Sequence, residues 1–142
     1  RGESLRYINV KVDEDAPSIF GLDQVDPTEE ILVVEGPLDS LFLDNSIACA
    51  GTSFGKIDQL PIPKENITII FDNQPKNRDV GKLMNKYIDM GYKMVIWPDV
   101  PGKDINEMIE NGLTSEEIQA IINHNTFQGL SAKAKYAMWR KV

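Results

Sequence analysis

The chain has 142 residues, 42% of them hydrophobic and 26% charged, with a formal net charge of −7. That length suits one domain with a real core, and the composition is that of an ordinary soluble globular protein. It excludes a bilayer-spanning run and, with Cys49 alone, an internal disulfide or a Cys-based zinc site, and the charge weighs against a broad DNA-coating surface, which needs a basic stripe.

In chain order, RYINVKV (Arg6 to Val12) alternates like an edge strand or hairpin arm. DEDAPS is turn-like, and IFGLDQVDPTEE is punctuated by Gly21 and Pro27. Ile31 to Val34 read as the first core strand. Gly36-Pro37 then opens a helix reaching about Leu43, with Pro at an early position where no N–H is needed. A short strand over Ile47 to Ala50 contains Cys49, which packs as a small apolar residue and points to a reducing compartment. A loop carrying Gly55, Pro61 and Pro63 leads to a strand over Ile67 to Phe71.

Asn77 to Met90 is the clearest helix, with Val80, Leu83, Met84, Tyr87 and Ile88 on one face and Gly91 at the C-terminal cap. A strand over Met94 to Trp97 follows. Asp104 with Glu107, and Thr114 with Glu117, resemble capping boxes for helices over Ile105 to Glu110 and Ser115 to Asn123. From about Leu130 a last amphipathic helix carries Tyr136, Met138 and Trp139. The order β-α-β, loop, β-α-β, helices means α/β: a parallel sheet with helices on both faces.

Buried parallel strands offer functional groups at their carboxyl ends. Glu35 follows ILVV and precedes Gly36, which lets the chain turn tightly and a phosphate or metal approach. It suits a metal ligand or a general acid/base, or equally a strand-end carboxylate favoured by a helix dipole. Asp72 follows ITIIF and suits a metal ligand or an Asx turn. Two such carboxylates repel unless a proton or cation lies between them, and a hard cation such as Mg²⁺ or Mn²⁺ needs few protein ligands. Asp39 divides between a metal role and a helix-start role, Asp104 leans to an N-cap, and Asp99 adds to the acidic edge. His124, in INHN, reads as surface or capping. Lys76 and Arg78, just beyond Asp72, could hold a triphosphate or a template strand, or be solvated. Walker A, GxGxxG, HExxH and GxSxG motifs are missing, which weighs against motors, dinucleotide enzymes, zinc proteases and serine hydrolases.

VVEGPLDSL (Val33 to Leu41) resembles the first motif of the Toprim domain, and ACAGTSF (Ala48 to Phe54) the Gly-Thr segment that follows it in primases. IIFDNQPKN (Ile69 to Asn77) resembles the second motif, and PGKDINEMI (Pro101 to Ile109) the later acidic segment. The lead-in from RYIN through IFGLDQ is similar to that of bacterial-type replicative primases, and the likeness runs from about Arg6 to Gly112. The resemblance implies a Toprim-like (Rossmann-like) fold and a primase catalytic core, of the bacteriophage-encoded kind. Such a core makes short RNA primers on a single-stranded DNA template from nucleoside triphosphates, with Mg²⁺ or Mn²⁺.

Carried over, Glu35 is the conserved acid, Asp72 the main metal aspartate, and Asp39 and Asp104 supporting metal acids. Apart from that carry-over, Arg6, Lys76 and Arg78 are the candidates for contact with nucleic acid or substrate. One departure stands out: the second acid of the usual Asp-x-Asp falls at Gln74, a neutral amide, which Asp79, Asp99 or Asp104 would have to offset. The expected organisation is lead-in strands over 1–30, a Toprim domain over 31–112 and a helical extension over 113–142. The start at Arg1, without Met or a signal peptide, reads as a piece of a longer protein, with zinc-binding and helicase-contacting regions elsewhere. The expected setting is the cytoplasm of a bacterial cell or phage-infected host, with a replicative helicase as partner and no membrane. Alternatives are another Toprim enzyme, such as a nuclease, or a non-catalytic Toprim module that binds nucleic acid or a replication partner.

Overall fold

The computed structural model describes residues 19–141, apart from the side chains of residues 51–53. The expected strand over Arg6 to Val12, and Arg6 itself, lie outside the described residues. The chain forms two compact units, divided between Ile67 and Thr68.

The first unit is built on β2 (Ile31–Val34), every residue of which is buried. A continuous apolar run has no polar face to give to water, so both faces must be covered. β3 (Ser46–Cys49) lies parallel to it, with Leu32 opposite Ser46 and Val34 opposite Ala48. β1 (Ile19–Phe20), which the sequence pattern does not single out, pairs antiparallel with β3. α1 (Pro37–Ser40) connects β2 to β3 and is shorter than expected. The chain past it tightens, with Phe42 N donating to Asp39 O and Leu43 N to Ser40 O. The buried Ser46 hydroxyl then donates to the Ser40 carbonyl (2.8 Å), and Asn45 turns with a positive φ of 47°. Residues Gly51–Gln59, expected as loop, are 3₁₀ turns that bury Phe54 and Ile57. Each fully buried Ile or Phe contributes roughly 1.5–3 kcal/mol.

The second unit pairs β4 (Ile67–Ile70) in parallel with β5 (Lys93–Val95), Thr68 opposite Lys93. α2 (Arg78–Asp89) joins them. The Asn77 side chain caps it, accepting from the N–H groups of Asp79 and Val80. Gly91, at φ 92°, closes it: Tyr92 N donates to Tyr87 O and Gly91 N to Ile88 O. That is the Schellman geometry, and the Tyr87 and Tyr92 rings meet edge to face at 5.4 Å across it. α3 (Ile105–Glu110) ends the same way at Gly112, φ 108°. α4 (Ser115–His124) has the expected capping box of Thr114 and Glu117. β6 (Thr126–Phe127) pairs antiparallel with β5 and was not anticipated, since two residues carry no periodicity. α5 (Gly129–Trp139) packs on α2, β5 and β6.

Parallel strands joined through helices, with two-residue antiparallel strands at the edges, make the protein α/β. Its six described strands are mainly parallel and flanked by helices, consistent with a Toprim-like, Rossmann-like fold. No helix among the described residues is long and apolar enough to cross a membrane.

Candidate functional site

In the first unit the polypeptide leaves β2 at Val34, and Glu35 follows, half-buried. Gly36 has ordinary extended backbone (φ −93°, ψ 130°), so no unusual conformation demands glycine there. Space does. A Cβ at position 36 would stand 2.8 Å from Asp39 Oδ2, because the Asp39 carboxylate lies back over the glycine. Asp39 is only 6% exposed although it carries a carboxylate. Its neighbour Ser40 is buried as well and donates its hydroxyl to Pro37 O (2.7 Å). The Glu35–Asp39 turn is therefore compact and acidic, and a larger residue at 36 would have to displace the Asp39 carboxylate. Cys49, at the end of β3, is buried, and burial pushes its thiol up to about 12. It stays protonated and inert at neutral pH, as the apolar run IACA suggests.

In the second unit Asp72 follows β4 by two residues and is half-buried. Side chains distant in sequence hold the chain around it. Trp97 Nε1 donates to Phe71 O (2.8 Å) just before it. Just after it, Asn73 donates from its backbone N to Lys103 O and from Nδ2 to Gly102 O. Trp139 Nε1 donates to Asn73 Oδ1 (3.0 Å). Gln74, half-buried, turns the chain by donating its N–H to Asp72 O (2.8 Å).

Asp104 caps α3, its Oδ1 accepting from Glu107 N (2.8 Å). The return half of the expected box is displaced by one residue: Glu107 Oε1 accepts from Lys103 N, not from Asp104 N. Capping uses one oxygen of the Asp104 carboxylate and leaves lone pairs for another ligand. Gly102 precedes it at φ 129°, where a Cβ would also meet Met108 N at 2.9 Å.

The other sequence candidates fall in the second unit on its surface. Lys76 and Arg78 are exposed. Lys76 lines a cleft with Gln74, Asn77 and Lys141, and Arg78 lines a groove with Lys82 and Arg140. Asp99 lies on a third cleft, of about 600 Å³, with Trp97 and Trp139. Asp79 is exposed in the first turn of α2, where the helix dipole favours it. His124 Nδ1 lies 2.7 Å from Ala120 O at the end of α4, a helix-end role. Sequence reasoning missed Asn73, Lys82 and Trp139 as parts of this surface.

These features define an α/β protein with carboxylates at the carboxyl ends of buried strands and cationic clefts beside one of them. No protein-family model matches the chain. The chain is similar to the DNA primase of Enterobacteria phage T4, 35% identical over 141 residues, which is 96% of this chain. It spans 40% of that relative's length. The chain is thus related in sequence to a phage primase over nearly all of its own extent.

Proposed function

We propose that the chain is part of the catalytic core of a DNA primase, a metal-dependent nucleotidyltransferase that makes short RNA primers on single-stranded DNA. The observation that carries this reading is the likeness to the phage primase, taken with acids at the ends of β2 and β4 in the order of the Toprim motifs. On this reading the metal ligands are the acids that the motifs name: Asp39 in the first unit, and Asp72 and Asp104 in the second. An all-carboxylate donor set, without Cys or His, suits a hard cation such as Mg²⁺ or Mn²⁺. When bound, that cation would activate the attacking 3′-hydroxyl and neutralise the triphosphate.

The roles of the chain's own residues follow. Asp39, Asp72 and Asp104 supply oxygens, Asp39 pre-set by its place over Gly36. Glu35 accepts the proton of the attacking hydroxyl or orients that hydroxyl. Asn73, tied to Gly102, Lys103 and Trp139, fixes the loop that carries Asp72. Lys76 and Arg78 receive phosphate oxygens, and Arg6 has the same role. Template single-stranded DNA and nucleoside triphosphates are the substrates, a replicative helicase is the partner, and the setting is the cytoplasm of a bacterium or infected cell.

The test is primer synthesis on single-stranded DNA with Mg²⁺ or Mn²⁺. Glu35→Gln and Asp72→Asn should each reduce the rate by on the order of 10²-fold or more. Wild-type rates in both variants would remove the proposed site. One observation favours a second reading, a nucleic-acid-binding module with weak metal affinity: Gln74 supplies no charge where the motif usually has an acid. A melting temperature that does not rise with Mn²⁺ would support that module over the enzyme.

A further inference from the structure

Against a net charge of −7, the C-terminal stretch of the second unit gathers positive charge: Lys133, Lys135, Arg140 and Lys141. No Asp or Glu occurs after Glu117, so α5 and the residues following it bring only cations. α5 docks on α2 closely because Gly81 lets it: Tyr136 OH donates to Gly81 O (3.0 Å), and a Cβ at 81 would stand 2.9 Å from that hydroxyl. The result is a groove of about 340 Å³ lined by Arg78, Gly81, Lys82, Asn85, Tyr136 and Arg140.

Arg78 and Lys82 are one helical turn apart on the same face of α2. The Arg140 guanidinium stands 5.9 Å from the centre of the Tyr136 ring. Lys133, by contrast, is committed to Asp89 and Asn85, both at 2.6 Å. Among the described residues, no carboxylate pairs with Arg78, Lys82 or Arg140. Clustered like charges cost free energy unless an anion joins them.

The positive track continues past this groove. Lys76 and Lys141, two residues and one residue along the chain from Arg78 and Arg140, line the neighbouring cleft of about 530 Å³. Lys141 N donates to Pro75 O (2.8 Å) and so fixes the end of the tail there. Beyond lies the cleft edged by Trp139 and Met138, the latter 80% exposed. Successive cations beside a half-buried aromatic and an exposed thioether match how single strands are held: phosphates tracked by charge, bases stacked on flat side chains.

We infer that the α2–α5 groove and the adjoining Lys76–Lys141 cleft bind the phosphodiester backbone of single-stranded nucleic acid. This deepens the primase reading by naming where the strand runs, and it rests on that reading only for the role the strand plays. The extent of the track, over two clefts, favours a polymer over a lone triphosphate.

The test is fluorescence anisotropy of the protein with a labelled single-stranded oligonucleotide, in EDTA, across a range of salt. Lys82→Ala and Arg140→Ala are expected to weaken binding about three- to tenfold each at low salt. Each should also flatten the dependence of log affinity on log salt by about 0.7. Lys64→Ala, an exposed cation in the first unit, should change neither. All three positions are exposed, and an unchanged melting temperature verifies the fold. Unaltered affinity and salt slope in the Lys82→Ala/Arg140→Ala double variant would overturn the inference. So would weakened ATP binding with oligonucleotide binding intact, which would make the groove a triphosphate site. Because no metal is present, failure here is separable from failure of the catalytic reading, which primer synthesis by Asp72→Asn decides.

Discussion

The turn after β2 and the turn after β4 start alike and are supported differently. Each follows four buried residues, ILVV and ITII, and each carries an acid. After β2 the chain enters a four-residue helix within two residues, with no side-chain cap. There the support is close packing: a carboxylate folded over a glycine, where any Cβ would stand only 2.8 Å from Asp39 Oδ2. After β4 a polar segment intervenes before a capped twelve-residue helix. There the support is hydrogen bonding by side chains from elsewhere, Trp97, Trp139 and Asn73 itself. The lesson is that a strand-end acid can be fixed by removing atoms beside it or by tethering the loop that carries it.

The largest effect should come from breaking the packed turn. Gly36→Val adds three carbons, the first of them 2.8 Å from where Asp39 Oδ2 lies. A misplacement of about 1 Å can cost about 10²-fold in rate, and that loss is expected in primer synthesis. A wild-type rate would mean the glycine is not there for Asp39.

Next comes Cys49 in the same unit. Its thiol is held up to about 12 by burial, against 9.0 ordinarily. The unfolded chain therefore ionises first, so stability present below pH 9 is lost as pH rises toward about 12. Iodoacetamide at pH 8 should label Cys49 only in denaturant, and rapid labelling of the folded protein would contradict the burial.

The tethered turn should yield less. Trp139→Phe removes one hydrogen bond to Asn73, worth about 1 kcal/mol, and should lower Tm by roughly 2–4 °C. Asn73→Ala also removes the bond to Gly102 O and should cost more, and a double variant no worse than Asn73→Ala would identify the pair as one device. Smallest is Gln74→Asp, which restores an acid where the motif usually has one and should tighten Mn²⁺ binding a few-fold by titration. Unchanged affinity would place position 74 outside the metal's reach.

Much of this was legible because it is local. The α2 helix is bounded by Asn77 and Gly91, whose chemistry is spelled out in adjacent residues, and the Thr114–Glu117 box likewise needs only a three-residue spacing. The acids at 35 and 72 announce themselves by following apolar runs. Elsewhere the local signal was too short or misleading. β1 and β6 have two residues each and exist only through their partners. The 3₁₀ turns over Gly51–Gln59 look like loop because prolines follow them, yet Phe54 and Ile57 are buried. Gly36 suggests a tight turn and a close approach by a phosphate or metal, whereas its φ is ordinary and the group close to it is a neighbour's carboxylate.

By itself the sequence determined the α/β class, the strand-end acids, the helix caps and the likeness to primases, since periodicity, capping and motif order are carried by residues close in the chain. Only the tertiary structure decided that Asp39 lies over Gly36, that Trp139 reaches Asn73 from 66 residues away, and that Arg140, just past α5, shares a groove with Arg78 and Lys82. The physical reason is that these depend on how far side chains approach across separate elements, which Gly36 and Gly81 permit by having no Cβ and which spacing along the chain does not encode.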